Sequence, residues 1–529
     1  MKKWIISILV LGTSMAVQAQ HLVPLHRYRT QQINLLMNSD STNYHTALKP
    51  YVISDTGRLF KGLYERNGSG LNWVMRKLRY ENLVLMEEKN YRFTADPVLH
   101  FELSKNQDVD EYFYRNTRGF LITGRIGKKV AFHSILYENQ VAFQPYVTEM
   151  IQNNEVIPHA AKYKLYEIPL SQFHPNGYDF SMTEGVFSWN ALPQLNFQFG
   201  QGKHFIGDGH RSLLLSDNSY SYPYFQGTIN IGPFQYTSLF AEMMDFDLPN
   251  SPESGYRKKR FQMHYLNWIA TKWLQLGLFE LVIYHPEDSI GFKGFKPNYI
   301  NPLILSRTVE YGFDGKNNVL LGLNGKITLP AGINIYGQYI LDAMAEPDSD
   351  FVTDQDAKYG FQIGLKWFDI LGIHNLFGLA EMNRVSAFTY GHQQSPQNYS
   401  HARQALAHPM GAGFDEFVGR LTYQLKDFEI DIQGNFAQYD LDTTMNISGR
   451  DIFTSYEITN QLTEGKEGGI DTRFAYGHVQ LSYLLNPSTD LRIYTGAAVR
   501  KEAGDIADNE DIWVFFGLRT FLSNQLFDF

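Results

Sequence analysis

From about residue 90 onward, apolar and polar positions alternate with a period of two in segments of roughly 9 to 14 residues. In Ala331 to Met344, Ile333, Ile335, Gly337, Tyr339 and Leu341 fall on one face and Asn334, Tyr336, Gln338 and Asp342 on the other. In Asp490 to Arg500, Leu491, Ile493, Ala497 and Val499 oppose Arg492, Tyr494 and Arg500. Successive side chains of a strand point to opposite faces, so each segment is an amphipathic strand, and a tilted strand of about ten residues crosses a bilayer. After the first twenty residues no stretch approaches an apolar run of the length a membrane helix needs.

The connections sharpen this pattern. Tight turns fall near Gly127-Lys128-Lys129, Ala191-Leu192-Pro193, Gly232-Pro233, Ala270, Pro330-Ala331, Leu371-Gly372, Lys426-Asp427 and Asn486-Pro487. Long polar or aromatic segments alternate with them, near 104–117, 139–177, 202–223, 245–257, 285–316, 345–356, 386–413, 441–471 and 500–509. Outer-membrane barrels have short periplasmic turns and long extracellular loops, so the alternation assigns a side to every connection. Eight turns and nine loops predict an all-β transmembrane barrel of about 18 antiparallel strands (16–18), with both chain ends on the periplasmic side.

Two regions depart from period two. Lys2 and Lys3, the apolar run Trp4 to Val17 and the Val17-Gln18-Ala19 pattern read as a signal peptide over 1–19, so export to the outer membrane of a Gram-negative cell is expected. Within 20–90, Leu25, Tyr28, Ile33 and Leu36 share a helical stripe, and Leu71, Val74, Leu78 and Tyr80 to Leu85 predict a second helix after Asn67-Gly68-Ser69-Gly70. This segment is expected to be a helical periplasmic plug, or else a docked lead-in, before a barrel over 91–529. The last strand is placed at Asp511 to Leu522, and the terminal Leu526-Phe527-Asp528-Phe529 resembles a barrel assembly signal, with Gln525 where that signal is usually apolar.

Composition agrees with a membrane barrel. Aromatics make up 15% of the chain, with 33 Tyr and 38 Phe, yet the mean hydropathy is -0.30. Lipid-facing apolar, lumen-facing polar and interfacial aromatic residues combine in that way. The absence of cysteine removes disulfides, thiolate chemistry and lipid attachment to a Cys. A formal net charge of -9, more negative without the leader lysines, disfavours nucleic acid as a partner.

The densest polar segment is the third long loop, Phe199 to Ser212 followed by Leu213-Leu214-Leu215-Ser216-Asp217-Asn218. Lys203, His204, Asp208, His210 and Arg211 can form a hydrogen-bonded knot that latches the loop into the lumen, and with Ser212 and Asn218 they are the candidates for contact with a polysaccharide. His204, Asp208 and His210 are metal-ligand types, and Ser212 with His204 or His210 supplies a nucleophile and base. Two histidines and a carboxylate in a glycine-rich loop are weak evidence for a metal, and neither a strained elbow nor a separate orienting acid accompanies Ser212. The expectation is no metal, no cofactor and no enzyme.

Gly207-Asp208-Gly209, then Ser212-Leu213-Leu214-Leu215-Ser216-Asp217-Asn218, then Pro223, resembles the signature of the Wzi-type capsule-assembly outer-membrane proteins, in which Gly-x-Gly precedes Ser-Leu-x-Leu-Ser-x-Asn and a nearby proline. The motif positions are Gly207, Gly209, Ser212, Leu213, Leu215, Ser216, Asn218 and Pro223. The resemblance implies an 18-stranded barrel with a helical periplasmic part and occluding loops, acting as a lectin-like holder of capsular polysaccharide. Phe205-Ile206 stands where enterobacterial members have tryptophans, and His210-Arg211 adds charge, so the same polymer is not implied. The Tyr-rich, cysteine-free style also resembles outer-membrane proteins of Bacteroidota, some of them Wzi-like barrels named for gliding motility.

Further clusters add expectations. Arg257, Lys258, Lys259 and Arg260, at the re-entry of the fourth long loop, suit lipopolysaccharide phosphates. Asp348, Asp350, Asp354 and Asp356 lack EF-hand spacing and read as an exposed acidic loop. Loop aromatics such as Phe295, Tyr299, Tyr390 and Tyr399 are of the kind that stacks on sugar rings, with loop packing as the default. The resulting expectation is a monomeric, non-enzymatic barrel that binds or organises a surface polysaccharide. A porin-like channel and a component of gliding or secretion machinery with a protein partner are the rival classes.

Overall fold

The computed structural model describes residues 20–38, 43–54, 70–168, 172–246, 256–284, 287–288, 291–292, 301–306, 317–343, 358–392, 395–442, 447–454, 469–504 and 508–529. The leader 1–19, Phe295, Tyr299 and the four loop aspartates lie outside these residues.

Eighteen strands among the described residues close into one antiparallel barrel. They are β1 (Tyr91–Asn106), β2 (Tyr112–Ile126), β3 (Val130–Ala142), β4 (Asn176–Leu192), β5 (Leu195–Gly202), β6 (Tyr222–Ile231), β7 (Phe234–Asp245), β8 (Arg257–Ile269) and β9 (Leu274–Tyr284). The circuit continues with β10 (Asn318–Leu329), β11 (Ile333–Ala343), β12 (Lys358–Phe368), β13 (Leu376–Val385), β14 (Phe414–Leu425), β15 (Phe428–Leu441), β16 (Ile470–Asn486), β17 (Leu491–Gly504) and β18 (Asp508–Arg519). All eight tight turns fall between the predicted strands; Gly232, for example, takes φ +58 in the turn between β6 and β7, a left-handed conformation that glycine adopts without steric cost. The first and last outer connections are shorter than the sequence pattern indicates, because β1, β2, β17 and β18 continue into them.

Period two sets the polarity of the wall. In β15, Phe428, Ile430, Ile432 and Phe436 are exposed, Phe436 by 60%, while Glu429, Asp431, Gln433 and Asn435 between them are buried in the lumen. The pattern is inverted relative to a soluble sheet, since the outer face meets hydrocarbon and the inner face meets polar filling. One sector differs. On β8 and β9, Gln262 and Glu280 occupy the outer face, where residues 301–306 cover them: Gln262 Nε2 donates to the Asn301 carbonyl at 2.7 Å and the Leu305 amide to Glu280 Oε2 at 2.6 Å. A covering segment supplies the partners that lipid cannot.

The seam joins β18 to β1 over His100–Asn106. Beyond it, the free edge of β1 at Tyr91–Ala95 is paired by the strand Val84–Glu88, so those backbone groups have partners. The helix α1 (Arg27–Asn38) carries Tyr28, Ile33 and Leu36 of the predicted stripe, and Leu25 precedes it. The second helix, α2 (Trp73–Arg79), is shorter than predicted. After Tyr80 the chain becomes extended, because Asp96 of β1 takes the Leu83 amide at 2.7 Å and the Asn82 side-chain amide at 2.7 Å. A third helix, α3 (Pro145–Asn154), lies in the connection from β3 to β4.

The last strand ends at Arg519, short of the expected Leu522, and residues 520–529 turn into the lumen. Their polar groups find partners there: Ser523 Oγ donates to Glu184 at 3.0 Å, Asn524 Nδ2 to Asp217 at 2.8 Å, and Arg115 Nη1 to Gln525 Oε1 at 2.5 Å. Facing lipid, the same groups would be unsatisfied. The terminal aromatic therefore does not end a wall strand.

Candidate functional site in the lumen

The chain leaves the wall at Gly202 and crosses the lumen before re-entering at Tyr222, opposite Gly202. Two glycines allow the crossing strand to lie against the wall. Gly207 has φ +135, and a Cβ there would meet Gln338 Nε2 of β11 at 2.3 Å. A Cβ on Gly209 would meet Glu381 Oε2 of β13 at 2.5 Å and the Arg211 carbonyl at 2.6 Å. Gln338 then clamps both arms of the loop, donating to the Ile206 carbonyl at 2.8 Å and accepting from the Leu213 amide at 2.8 Å. Ser212 Oγ donates to the Ile206 carbonyl at 2.5 Å and accepts from the Leu214 amide at 3.2 Å.

A buried charge cluster holds the bend. Arg211 donates from Nε and Nη2 to Glu416 Oε1 of β14 at 3.3 and 3.1 Å, and from Nη1 to Asp528 Oδ1 at 3.0 Å. Glu381 accepts the His210 and Arg211 amides at 2.7 and 3.0 Å. His408 Nε2 lies 2.7 Å from Glu416, His210 Nε2 lies 3.3 Å from Asp528, and Asn435 Nδ2 donates to the Asp528 carbonyl at 2.8 Å. Burial opposes the Arg211 charge, but Asp528 and Glu416 outweigh it and raise its pKa. Burial likewise opposes the Asp528 carboxylate, which Arg211 and His210 nevertheless hold well below the usual range. Burial, against the pull of Asp528, lowers the His210 pKa to about 4.

The second half of the motif binds Tyr390 and residues 399–407 of a later loop. Leu213, Leu214 and Leu215 are fully buried against Leu239, Phe261, Met263 and Phe279 on an unusually apolar stretch of inner wall. Tyr390 and Tyr399 donate to the Leu213 and Leu214 carbonyls at 2.8 and 2.5 Å. The Ser216 amide donates to the Leu406 carbonyl at 2.8 Å, Ser216 Oγ donates to the Ala407 carbonyl, and Asn218 Nδ2 donates to the Ala405 carbonyl at 3.0 Å. The motif side chains thus satisfy backbone groups that would otherwise be orphaned inside the lumen.

The remaining candidates are dispersed. Lys203 donates to the His159 carbonyl at 3.0 Å, and His204 Nδ1 lies 3.2 Å from the Tyr222 hydroxyl. Asp208 sits among Lys326, Lys49 and Lys366, away from His204 and His210. Pro223 pairs with Gln201 at the start of β6. The basic run divides by face: Lys259 turns inward, donating to Asn398 Oδ1 at 2.7 Å and Ser400 Oγ at 2.9 Å, while Lys258 and Arg260 turn outward onto Glu242 at 2.6 and 3.2 Å. Tyr390 and Tyr399 are buried in the loop packing. Sequence reasoning missed Gln338, Glu381, His408, Glu416 and Asp528. A polar or charged residue on the inner face of its strand was the available signal for three of these, without any indication of its partner.

Chemically, the arrangement binds and braces. Ser212 and His204 have separate partners, and among the described residues no group of three or more His, Asp or Glu is placed to hold a metal ion. The space left open is divided. A cavity of about 260 Å³ lies between the final segment, α1, α3 and the β1, β2 and β15–β18 wall, where Arg27, Glu102, Arg115, Tyr146 and Trp513 contribute charge and aromatic rings. A second, of about 250 Å³, opens near the short turns beside Asn34, Asp208, Lys272, Lys326 and Lys366.

A closed 18-stranded wall with an apolar exterior and loops packed through its lumen has a counterpart among solved structures. One is titled as Wzi, an outer membrane protein involved in group 1 capsule assembly in Escherichia coli and a carbohydrate binding β-barrel, at TM-score 0.54 and 14% identity, over 94% of this chain and 98% of that one. The fold is that of an outer-membrane β-barrel. OprD and OccK7 (OpdD) of Pseudomonas aeruginosa also match, at TM-scores 0.42 and 0.44 and identities of 11% and 9%, over 81% and 82% of this chain and 96% and 99% of theirs. No protein-family model and no curated protein matches the chain.

Proposed function

We propose that this barrel is a non-enzymatic, lectin-like protein that binds or organises a surface polysaccharide, of capsular type, on its long-loop face. The observation that carries the reading is the packed lumen: residues 203–221, 386–392, 396–413 and the final segment fill space that a general diffusion pore leaves to water. A barrel spent in this way has its loops as the working surface. The likeness to a barrel titled as carbohydrate binding supports the same reading. The motif residues act here as a brace behind the binding face, and the polymer meets what that brace supports. Lys258, exposed on the outward face at the outer end of β8, is the member of that outward pair suited to lipopolysaccharide phosphates, Arg260 beside it being buried against Glu242. Export by the 1–19 leader and a monomeric barrel belong to the same proposal.

The test is deletion of the gene followed by imaging of the cell surface and assay of shed polymer. The expected result is loss of retained surface polysaccharide with release into the medium. Unchanged retention overturns the proposal.

A further inference from the structure

The segment 71–88 is built inside out. The C-terminal end of α2 is held by polar contacts: Arg76 and Lys77 pair with Glu81 at 3.0 Å each. Asn486 Nδ2 donates to the Lys77 and Glu81 carbonyls at 2.8 and 3.0 Å, and Ser488 Oγ to the Tyr80 carbonyl at 2.7 Å. The apolar residues of the segment are left uncovered, with Trp73 and Val74 each 60% exposed and Leu71 and Leu78 exposed beside them. The strand Val84–Glu88 continues the trend, with Val84, Leu85 and Met86 all exposed. A helix facing water buries its apolar stripe and shows its charges. This one leaves its apolar residues exposed, as the outer face of the barrel wall does.

We propose that this segment docks onto phospholipid of the inner leaflet of the outer membrane, with Trp73, Val74 and Leu78 in the acyl boundary and Arg79 at the headgroups. Continuity with the lipid-facing wall selects this occupant. Val84 and Met86 pair with Ala95 and Phe93, which lie on the outer face of β1 because the alternate residues Thr94 and Asp96 are buried within. The apolar belt also reaches the short turns themselves, where Leu192, Ile231, Trp273 and Leu371 are exposed. The α2 segment is tied to another of those turns, through Ser488. Interfacial tryptophan and an adjacent arginine suit that depth.

The test is fluorescence of the full-length barrel in vesicles containing phospholipid brominated near the headgroup end of the acyl chain. Wild type is expected to show a quenchable component that Trp73→Phe loses, while heat-modifiable gel mobility shows both barrels folded. Trp73→Phe leaving lipid quenching unchanged overturns the proposal. So does a Trp73 component open to aqueous acrylamide and untouched by brominated lipid, the result expected if a protein partner or a second copy is the occupant.

Discussion

At the scale of single residues, Arg211 decides whether the loop stays in the lumen. Removing one partner of a buried ionic group leaves the others charged and unpaired, at a cost of about 3–5 kcal/mol. Arg211→Met retains the bulk and abandons Glu416 and Asp528, so a loss of that order is expected in urea unfolding of the reconstituted barrel. Adding Asp528→Asn should cost less than the sum of the two single changes, because both remove the same contact. Acid acts on the same cluster through His210. Its folded pKa, about 4, lies below the ordinary value of 6.5, so the unfolded chain binds more protons between those values. The contribution is therefore complete above pH 6.5 and lost as pH falls toward 4. The urea midpoint should fall across that window, and His210→Gln should flatten part of the decline; an equal decline in the variant assigns it to other groups. At Gly209, space rather than charge is decisive. Gly209→Ala forces a Cβ to within 2.5 Å of the Glu381 carboxylate, and should weaken the latch although no partner is removed.

At the scale of elements, the turns were legible because Gly, Pro and Asn mark them locally, and the strands because β15 and its neighbours alternate without interruption. Contacts remote in sequence were not legible. Nothing near Asp528 announces Arg211, and nothing near Leu213 announces Tyr390; both pairs form only once the barrel has closed around them. The same limit misplaced the last strand, since Thr520 and Leu522 continue the period of β18 until Ser523, Asn524 and Gln525 find luminal partners. It also lengthened α2, where Asp96 captures the chain after Tyr80. These observations make residues 522–529 a filler and leave the wall to β18. Deleting them should permit assembly, seen as retained heat-modifiable mobility. It should also leave Arg211 with Glu416 alone and enlarge the 260 Å³ cavity. Failure of the truncated chain to form a barrel would return an assembly role to the terminal segment.

At the scale of the whole molecule, the barrel is filled from two sides, and conduction depends on both fillers. The loop 203–221 with residues 386–392 and 396–413 packs against the inner wall from β6 to β14. The final segment, α3 and the start of α1 occupy the side formed by β1–β3 and β15–β18, while the end of α1 reaches across to β12–β14. The fillers meet at Arg211 and Asp528, so neither is independent of the other. In planar bilayers the intact barrel is expected to pass little steady current, because the two fillers pack across the lumen between the cavities of about 260 and 250 Å³. Removing 522–529 joins the first cavity to the space above α1 and should give a small steady conductance. Removing 204–216 withdraws Arg211, the three leucines and the clamp on Gln338, so it frees the other half and should give a larger one. The double deletion should exceed the sum of the two, since in either single deletion the filler that remains still obstructs the path. A large steady current through the intact barrel would contradict the packed lumen and move the function toward diffusion. Conductance unchanged by both deletions would mean that the block lies in the outer loops above the cavities.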